Sequence, residues 1–236
     1  KTRAILLGSL AVALALALTW IVTAAEPRLS SSAPMAAQTA DSRPTLNVRL
    51  EGEPTLDPAL ATDTPSTNVI EQLFIGLVDL DEETAEVKPE LANSWTTSPD
   101  ASVYTFTLRS DVLWSDGSPV TAEDARYGIL HTLDPATGSG YAYVLHHIEN
   151  AREYNNGTIS DPNQVGVSAI NSTTLRITFE GPAAYGLSIL TMPFARPMPQ
   201  HAIEAHGVPT WTEPANIVTS GPYRLAEWGH GDHVLL

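Results

Sequence analysis

Two short stretches that combine histidine with carboxylate side chains are the first candidates for chemistry in this sequence. They are His146-His147-Ile148-Glu149 and His230-Gly231-Asp232-His233. Imidazole and carboxylate groups bind zinc and related metals, but neither stretch has the spacing of a helical zinc site or a clear distant ligand to complete it. We interpret these histidines as surface residues, and the sequence predicts no metal site and no cofactor.

Motifs of the common hydrolases are missing from the sequence. It contains no G-x-S-x-G sequence around a serine nucleophile, no S-x-x-K motif and no cysteine, so disulfides and thiol chemistry are excluded as well. The adjacent carboxylates Glu82-Glu83 and Glu123-Asp124 are typical of solvated faces or first helical turns, not of glycosidase sites. These features predict a protein that is not an enzyme and has no catalytic residues.

Aromatic side chains are better candidates for contact with a ligand. Tyr141 and Tyr143 follow Gly138-Ser139-Gly140 between two predicted helices, and binding residues commonly lie on such loops. Four other aromatic residues crowd one stretch at mostly alternating spacing, which favours packing in a core. They are Trp95, Tyr104, Phe106 and Trp114.

The elements that would position these residues are short and mixed in type. Alternating apolar residues predict a strand over Thr45–Leu50. Ser66 is the predicted N-cap of a helix whose apolar face carries Val69, Ile70, Leu73, Phe74 and Leu77. Further predicted helices are one capped by Thr121 and Asp124, one over 183–191, and Gln200–His206, ended by Gly207.

Further strands complete the pattern. They are predicted over 104–109, Val112–Trp114 and 223–228, with a hairpin of 165–170 and 175–179 around Asn171-Ser172. Ser115-Asp116-Gly117 is a predicted turn. Short strands interspersed with helices predict an α/β fold.

The N-terminus and the charge indicate an exported protein that does not bind nucleic acid. Lys1 and Arg3 precede an uncharged run over 4–25, which is a cleaved signal peptide or a retained membrane anchor, and 26–44 has the composition of a flexible linker. The net charge of -15 would repel a phosphate backbone. We therefore expect a location in the periplasm or on the extracellular face of the cell membrane.

Several segments, taken in order, carry a family likeness. They are 53–58 (Glu-Pro-Thr-Leu-Asp-Pro), 73–77 (Leu-Phe-Ile-Gly-Leu), 91–95 (Leu-Ala-Asn-Ser-Trp), 104–109 (Tyr-Thr-Phe-Thr-Leu-Arg), 114–124 (Trp-Ser-Asp-Gly-Ser-Pro-Val-Thr-Ala-Glu-Asp) and 211–223. From about Thr45 to Leu236, the sequence resembles the N-terminal part of an extracytoplasmic solute-binding protein of the peptide/nickel (family 5) class of ABC transporters. Within that class it is most similar to the oligopeptide-binding proteins.

The resemblance implies a periplasmic-binding-protein-like fold of two lobes with an extra N-terminal subdomain. On this basis, 45–74 and 200–236 would form part of lobe I, 75–199 would be the inserted subdomain, and the second lobe would be missing from this sequence. The implied function is to bind oligopeptides in the cleft between the lobes and to deliver them to the permease and ATPase subunits of an importer. The complete protein would be a monomer.

The resemblance also implies ligand-binding residues. Ala61, Thr62, Asp63 and Thr64 match the edge segment of the family beside the peptide, and Tyr141 matches an aromatic residue that contacts it. Thr62 replaces an acidic residue of that segment, and the neighbouring Asp63 is its candidate substitute. Trp114-Ser115-Asp116-Gly117 is interpreted as a structural turn with a buried indole.

Two alternatives stay open at this point. One is a nickel, haem or sugar ligand on the same fold, and further histidines near the cleft would favour a metal. A membrane-tethered sensor would be favoured by an uncleaved helix over 4–25 and an unrelated downstream domain.

Overall fold

A four-stranded sheet organises the core in the computed structural model of the protein, which describes residues 45–236. Helices and strands in chain order are α1 (Thr64–Leu73), β1 (Val78–Leu80), β2 (Val87–Pro89), β3 (Ala92–Thr97), β4 (Val103–Leu108), α2 (Ala122–Leu133), α3 (Ala151–Asn155), β5 (Val167–Asn171), β6 (Thr174–Thr178), α4 (Gly186–Leu190), α5 (Gln200–His206), β7 (Glu227–Gly229) and β8 (His233–Leu235). Short 3₁₀ helices cover Pro58–Leu60, Ala142–His147, Pro162–Gln164, Pro193–Ala195 and Thr210–Thr212.

The central sheet has the strand order β3-β4-β6-β5, and every neighbouring pair is antiparallel. Tyr104 lies opposite Ile177 and Phe106 opposite Leu175, so apolar side chains from two strands share one face. The predicted β4 strand and the hairpin are therefore confirmed, with the hairpin turn at residues 172–173, one position later than expected. Two further antiparallel pairs, β1-β2 and β7-β8, complete the strands of this part of the chain.

Helix α2 packs against β5 and β6 and begins as the sequence predicts. The Thr121 hydroxyl oxygen accepts a hydrogen bond from the Asp124 N–H, and the Asp124 carboxylate accepts one of 2.7 Å from the Thr121 N–H. Its buried face includes Ala125, Ile129 and Leu133. At Gly128 the helix comes so close to the neighbouring chain that an added Cβ would lie 2.1 Å from the Arg196 carbonyl oxygen.

A buried arginine joins the segment after α1 to the segment before α5. The Arg196 guanidinium donates to the Phe74 carbonyl oxygen and lies 3.9 Å from a Glu71 carboxylate oxygen. The carboxylate of Glu90 accepts a 2.6 Å hydrogen bond from the Gly76 N–H. Burial raises the pKa of Glu90 to about 7, against the opposing effect of the Arg196 charge.

Two local predictions near the N-terminal end of the described chain are wrong. Thr45–Leu50 is not a strand: no strand of residues 45–236 pairs with it, so its backbone lacks the partner that a strand needs. Helix α1 begins at Thr64 with Asp63 as its N-cap, because the Asp63 carboxylate accepts the Ser66 N–H at 2.8 Å. The Ser66 hydroxyl instead accepts the Thr55 N–H, and α1 ends before Leu77.

Other predicted elements are shorter than expected, while α5 has the predicted bounds. Val112–Trp114 makes only an isolated bridge between Leu113 and Pro119. The helix predicted over 183–191 covers Gly186–Leu190, and the strand predicted over 223–228 is Glu227–Gly229. Helix α5 ends at Gly207, whose φ of +70° suits glycine.

The expectations for residues 1–25 and 26–44 lie outside the described residues. Over the described range, no helix combines the length and apolar character that a membrane crossing requires.

Candidate functional site

The edge segment Ala61–Thr64 connects a 3₁₀ helix to α1: its backbone is extended at Ala61 and Asp63, and Thr64 is the first residue of α1. The Asp57 carboxylate caps the 3₁₀ helix Pro58–Leu60 by accepting the Ala59 N–H at 2.9 Å. Asp63 caps α1 at the other end. Between these caps, Ala61 has φ −65° and ψ 121°, and Asp63 has φ −138° and ψ 163°. The two caps therefore fix an extended backbone that belongs to no sheet.

One side chain of this segment is buried and the other three are exposed. Ala61 is buried, whereas Thr62, Asp63 and Thr64 are exposed. Within residues 45–236, no hydrogen bond occupies the backbone N–H or C=O of Thr62. An extended backbone with unused donors and acceptors is the geometry to which another extended chain can add.

Tyr141 lies beside this segment, on the loop that leads into the 3₁₀ helix Ala142–His147. A Cβ added at Gly140 would lie 3.3 Å from the Thr62 methyl carbon, so the loop and the edge segment are in contact. Gly138 turns the loop with a φ of +68°. The Tyr141 ring stacks on the buried Phe194 ring at a centroid distance of 5.7 Å and an interplanar angle of 13°.

Asp57, which lies shortly before the edge segment in sequence, belongs to a buried polar cluster. One Asp57 carboxylate oxygen accepts a 3.0 Å hydrogen bond from the Trp211 indole N–H. The same oxygen lies 3.5 Å from Nε2 of His131 on α2. Trp211 is fully buried and packs against Phe74 at a centroid distance of 6.0 Å. Three separate parts of the chain thus meet at Asp57, the residue that caps the 3₁₀ helix before the edge segment.

The sequence did not single out Asp57, His131 or Trp211 as a cluster. An Asp before a Pro is a recognisable capping signal, and Asp57-Pro58 carries it. The partners of its second carboxylate oxygen, His131 and Trp211, lie 74 and 154 residues away along the chain. No local sequence pattern could predict these contacts.

Polar side chains of other parts of the chain contact the histidines of both stretches. His146 contacts the Asn155 side-chain oxygen at 2.9 Å, and His147 contacts the Tyr185 hydroxyl at 3.2 Å. His230 lies 2.6 Å from Glu53 and 3.5 Å from Glu213, and hydrogen bonding to Glu53 raises its pKa. Over residues 45–236 no group of three histidine, cysteine or acidic residues has an arrangement suited to a metal ion.

The Trp114–Gly117 segment has the structure that was predicted for it. The Trp114 indole is buried, and Gly117 completes the turn with a φ of +92°. The Asp116 carboxylate accepts the Ser118 N–H at 2.9 Å, and its second oxygen lies 2.7 Å from Nε2 of His201 on α5. The turn therefore ties the segment before α2 to α5.

Comparison with known proteins identifies a family for most of this fold. Residues 86–236 match the family model described as bacterial extracellular solute-binding proteins, family 5 Middle. The periplasmic oligopeptide-binding protein OppA of Escherichia coli is 41% identical over 187 residues, which cover 77% of this chain and 33% of that protein. The chain thus spans about a third of the length of the curated relatives that it matches.

Solved structures agree in fold as well as in sequence. The Borrelia burgdorferi periplasmic oligopeptide-binding protein OppAIV superposes with a TM-score of 0.73 at 39% identity, covering 78% of this chain and 37% of that one. Haemophilus influenzae OppA, solved in complex with the peptide RPPGFSPFR, superposes with a TM-score of 0.73 at 35% identity, covering 78% and 36%. Because the family model covers more than half of its residues, the chain belongs to the family 5 extracellular solute-binding proteins.

Proposed function

We propose that the full-length protein is the substrate-binding component of an ABC importer and binds oligopeptides. The observation that carries this proposal is the extended backbone at Ala61 and Asp63, with Thr62, unpaired within residues 45–236, between them and Tyr141 beside it. The similarity to oligopeptide-binding proteins, one of them solved with a bound peptide, supports the same ligand class.

The proposed contact is made through the main chain. An extended peptide laid along Thr62 would pair its backbone with the N–H and C=O that the fold leaves unused, while Tyr141 would pack against a neighbouring part of the peptide. Main-chain pairing gives affinity without reading side chains, so peptides of many sequences would bind.

Asp63 enters this proposal as a positioning residue. One of its carboxylate oxygens accepts the Ser66 N–H and holds the start of α1. We therefore infer that Asp63 sets the shape of the edge segment, and that the site places no requirement for a basic side chain on the peptide.

The remaining parts of the proposal concern the whole protein. Residues 45–74 and 200–236 would form part of lobe I, 75–199 the inserted subdomain, and a second lobe would close over the peptide. A permease with its ATPase would then recognise the closed form. Delivery to a membrane permease requires export, so we propose a location outside the cytoplasmic membrane.

The experiment is native mass spectrometry of the full-length protein, purified without added ligand and then denatured to release its contents. A ladder of mixed short peptides is the expected result. A single metal ion, haem or sugar would replace the peptide proposal with another ligand class. A protein that is empty and stays empty when offered peptides would favour a sensor.

A pair of variants tests the main-chain contact itself. Thr62→Pro removes the backbone N–H, and Ala61 already has the extended geometry that a residue before proline needs. Thr62→Ala keeps the N–H and is the matched control. We expect peptide affinity to fall at least tenfold in Thr62→Pro and less than twofold in Thr62→Ala, with unchanged circular dichroism. Equal affinities in the two variants would refute main-chain pairing at this residue.

A further inference from the structure

An exposed tyrosine stands at the outer end of a short stack of aromatic rings beside the edge segment. Phe194 is 6% exposed, Tyr141 is half-buried and Tyr143 is 60% exposed. The ring centroids of Tyr141 and Tyr143 are 5.9 Å apart, and those of Tyr141 and Phe194 are 5.7 Å apart. The three rings therefore run from the core to solvent.

The position of Tyr143 is fixed by its neighbours. Ala142 before it and Leu145 after it are buried, and the 3₁₀ helix Ala142–His147 holds the intervening backbone. The loop that precedes Tyr141 touches Thr62 through Gly140. An aromatic surface held in this way loses little conformational freedom when a ligand covers it.

The polar surroundings of these rings disfavour an acidic partner. Within residues 45–236, no side-chain hydrogen bond occupies the hydroxyl group of Tyr141 or Tyr143, so both can meet a ligand. The exposed Asp63 carboxylate, next to Thr62 in sequence, and the net charge of -15 disfavour an acidic side chain.

We propose that Tyr143 extends the peptide site by one side-chain position and favours peptides that carry an aromatic side chain there; this inference rests on the proposed peptide-binding function. A ligand ring stacked on Tyr143 would continue the row of rings from Phe194. Tyr143 thereby adds selectivity for one side chain to a site whose main-chain contacts are tolerant of sequence.

The test measures the affinity of the full-length protein for four peptides by calorimetry. They are trialanine and the three tripeptides in which one alanine is replaced by phenylalanine. In the unmodified protein, at least one phenylalanine peptide binds more tightly than trialanine. Tyr143→Ala weakens that peptide five- to tenfold and trialanine less than twofold, whereas Tyr143→Phe retains the preference because the ring remains.

Tyr223→Ala is the matched control, because Tyr223 is similarly exposed but follows Pro222 and pairs its N–H with the Gln72 carbonyl. It leaves all four affinities unchanged. If Tyr143→Ala weakens all four peptides equally, or none, the selectivity of Tyr143 is overturned while peptide binding stands. If the unmodified protein binds none of the four, both the proposed function and this inference are overturned.

Discussion

Asp57 and Trp211 are joined by a 3.0 Å hydrogen bond between a carboxylate oxygen and the indole N–H, although 154 residues separate them in the sequence. Both side chains are buried. The other oxygen of the same carboxylate caps the 3₁₀ helix that leads into the edge segment. One side chain thus fastens the start of the candidate site to a distant part of the chain.

Removing this carboxylate should destabilise the protein. Asp57→Ala leaves the Trp211 indole N–H and the Ala59 N–H buried without their acceptor, at a cost of about 1–3 kcal/mol for each unsatisfied group. We expect the free energy of unfolding, measured by denaturant titration, to fall by at least about 2 kcal/mol. Asp111→Ala is the control, because Asp111 is exposed and its ionic partner is the exposed Arg109. Equal effects of the two variants would contradict this assignment.

Gly128 should tolerate no side chain. An alanine Cβ there would overlap the Arg196 carbonyl oxygen, which belongs to the backbone and cannot rotate away. We expect Gly128→Ala to lower the free energy of unfolding by about 3 kcal/mol. Gly181→Ala is the control: a Cβ there meets nothing within 4 Å. A thermal melt that is unchanged in Gly128→Ala would show that α2 can shift away from this contact.

Substitutions of Asp63 distinguish a capping role from a role as ligand-binding charge. Asp63→Ala removes the N-cap of α1 and should cost about 1 kcal/mol of stability and weaken peptide binding. Asp63→Asn removes the charge but keeps an acceptor oxygen for the Ser66 N–H, so both stability and affinity should stay close to those of the unmodified protein. Loss of affinity in Asp63→Asn with unchanged stability would instead assign the carboxylate to the ligand.

The partly buried Glu90 makes the stability of the fold depend on pH in a defined direction. Burial raises its pKa from 4.5 to about 7, so the folded protein binds the proton more tightly than the unfolded chain does. The stabilisation of the fold by protonated Glu90 is fully present below about pH 4.5 and is lost as the pH rises through about 7. The charged groups around Glu90 are Arg196, Lys88 and Asp79, of which only Asp79 favours the proton.

Melting temperatures of the full-length protein between pH 5 and pH 8 would measure this contribution. We expect Glu90→Gln to reduce the decline in melting temperature over that range, because glutamine does not titrate. Glu123→Gln, at an exposed position on α2, should leave the decline as it is in the unmodified protein. A Glu90→Gln profile parallel to that of the unmodified protein would place the titrating group elsewhere.

Elements with strong local signals were predictable from the sequence, and those that depend on distant contacts were not. The Thr121–Asp124 capping box and the glycine after α5 are local, and both are confirmed. Strand β3 was missed because four of its six residues, Asn93, Ser94, Thr96 and Thr97, are polar and exposed. Hydrogen-bonded pairing with β4 stabilises β3 as a strand, although its own sequence has no alternating apolar pattern.

The candidate site shows the same division. The family resemblance identified Ala61–Thr64 and Tyr141 as candidate ligand-binding residues. The contact between Gly140 and Thr62, which brings them together, joins residues far apart in the sequence and could not be predicted. The buried Arg196 was likewise unexpected, since its partners Phe74, Glu71 and Glu90 lie far away along the chain. Such contacts arise only when the whole chain has folded.

The shape of the edge segment depends on its two capping residues and not on its exposed side chains. Asp57 and Asp63 hold the backbone, while the side chains of Thr62 and Thr64 face solvent. Substitutions at positions 62 and 64 that keep the backbone N–H would therefore change the exposed surface of the edge without destabilising the fold. Such an arrangement lets related proteins diverge in the chemistry of this edge through a few surface changes, each close to neutral for folding.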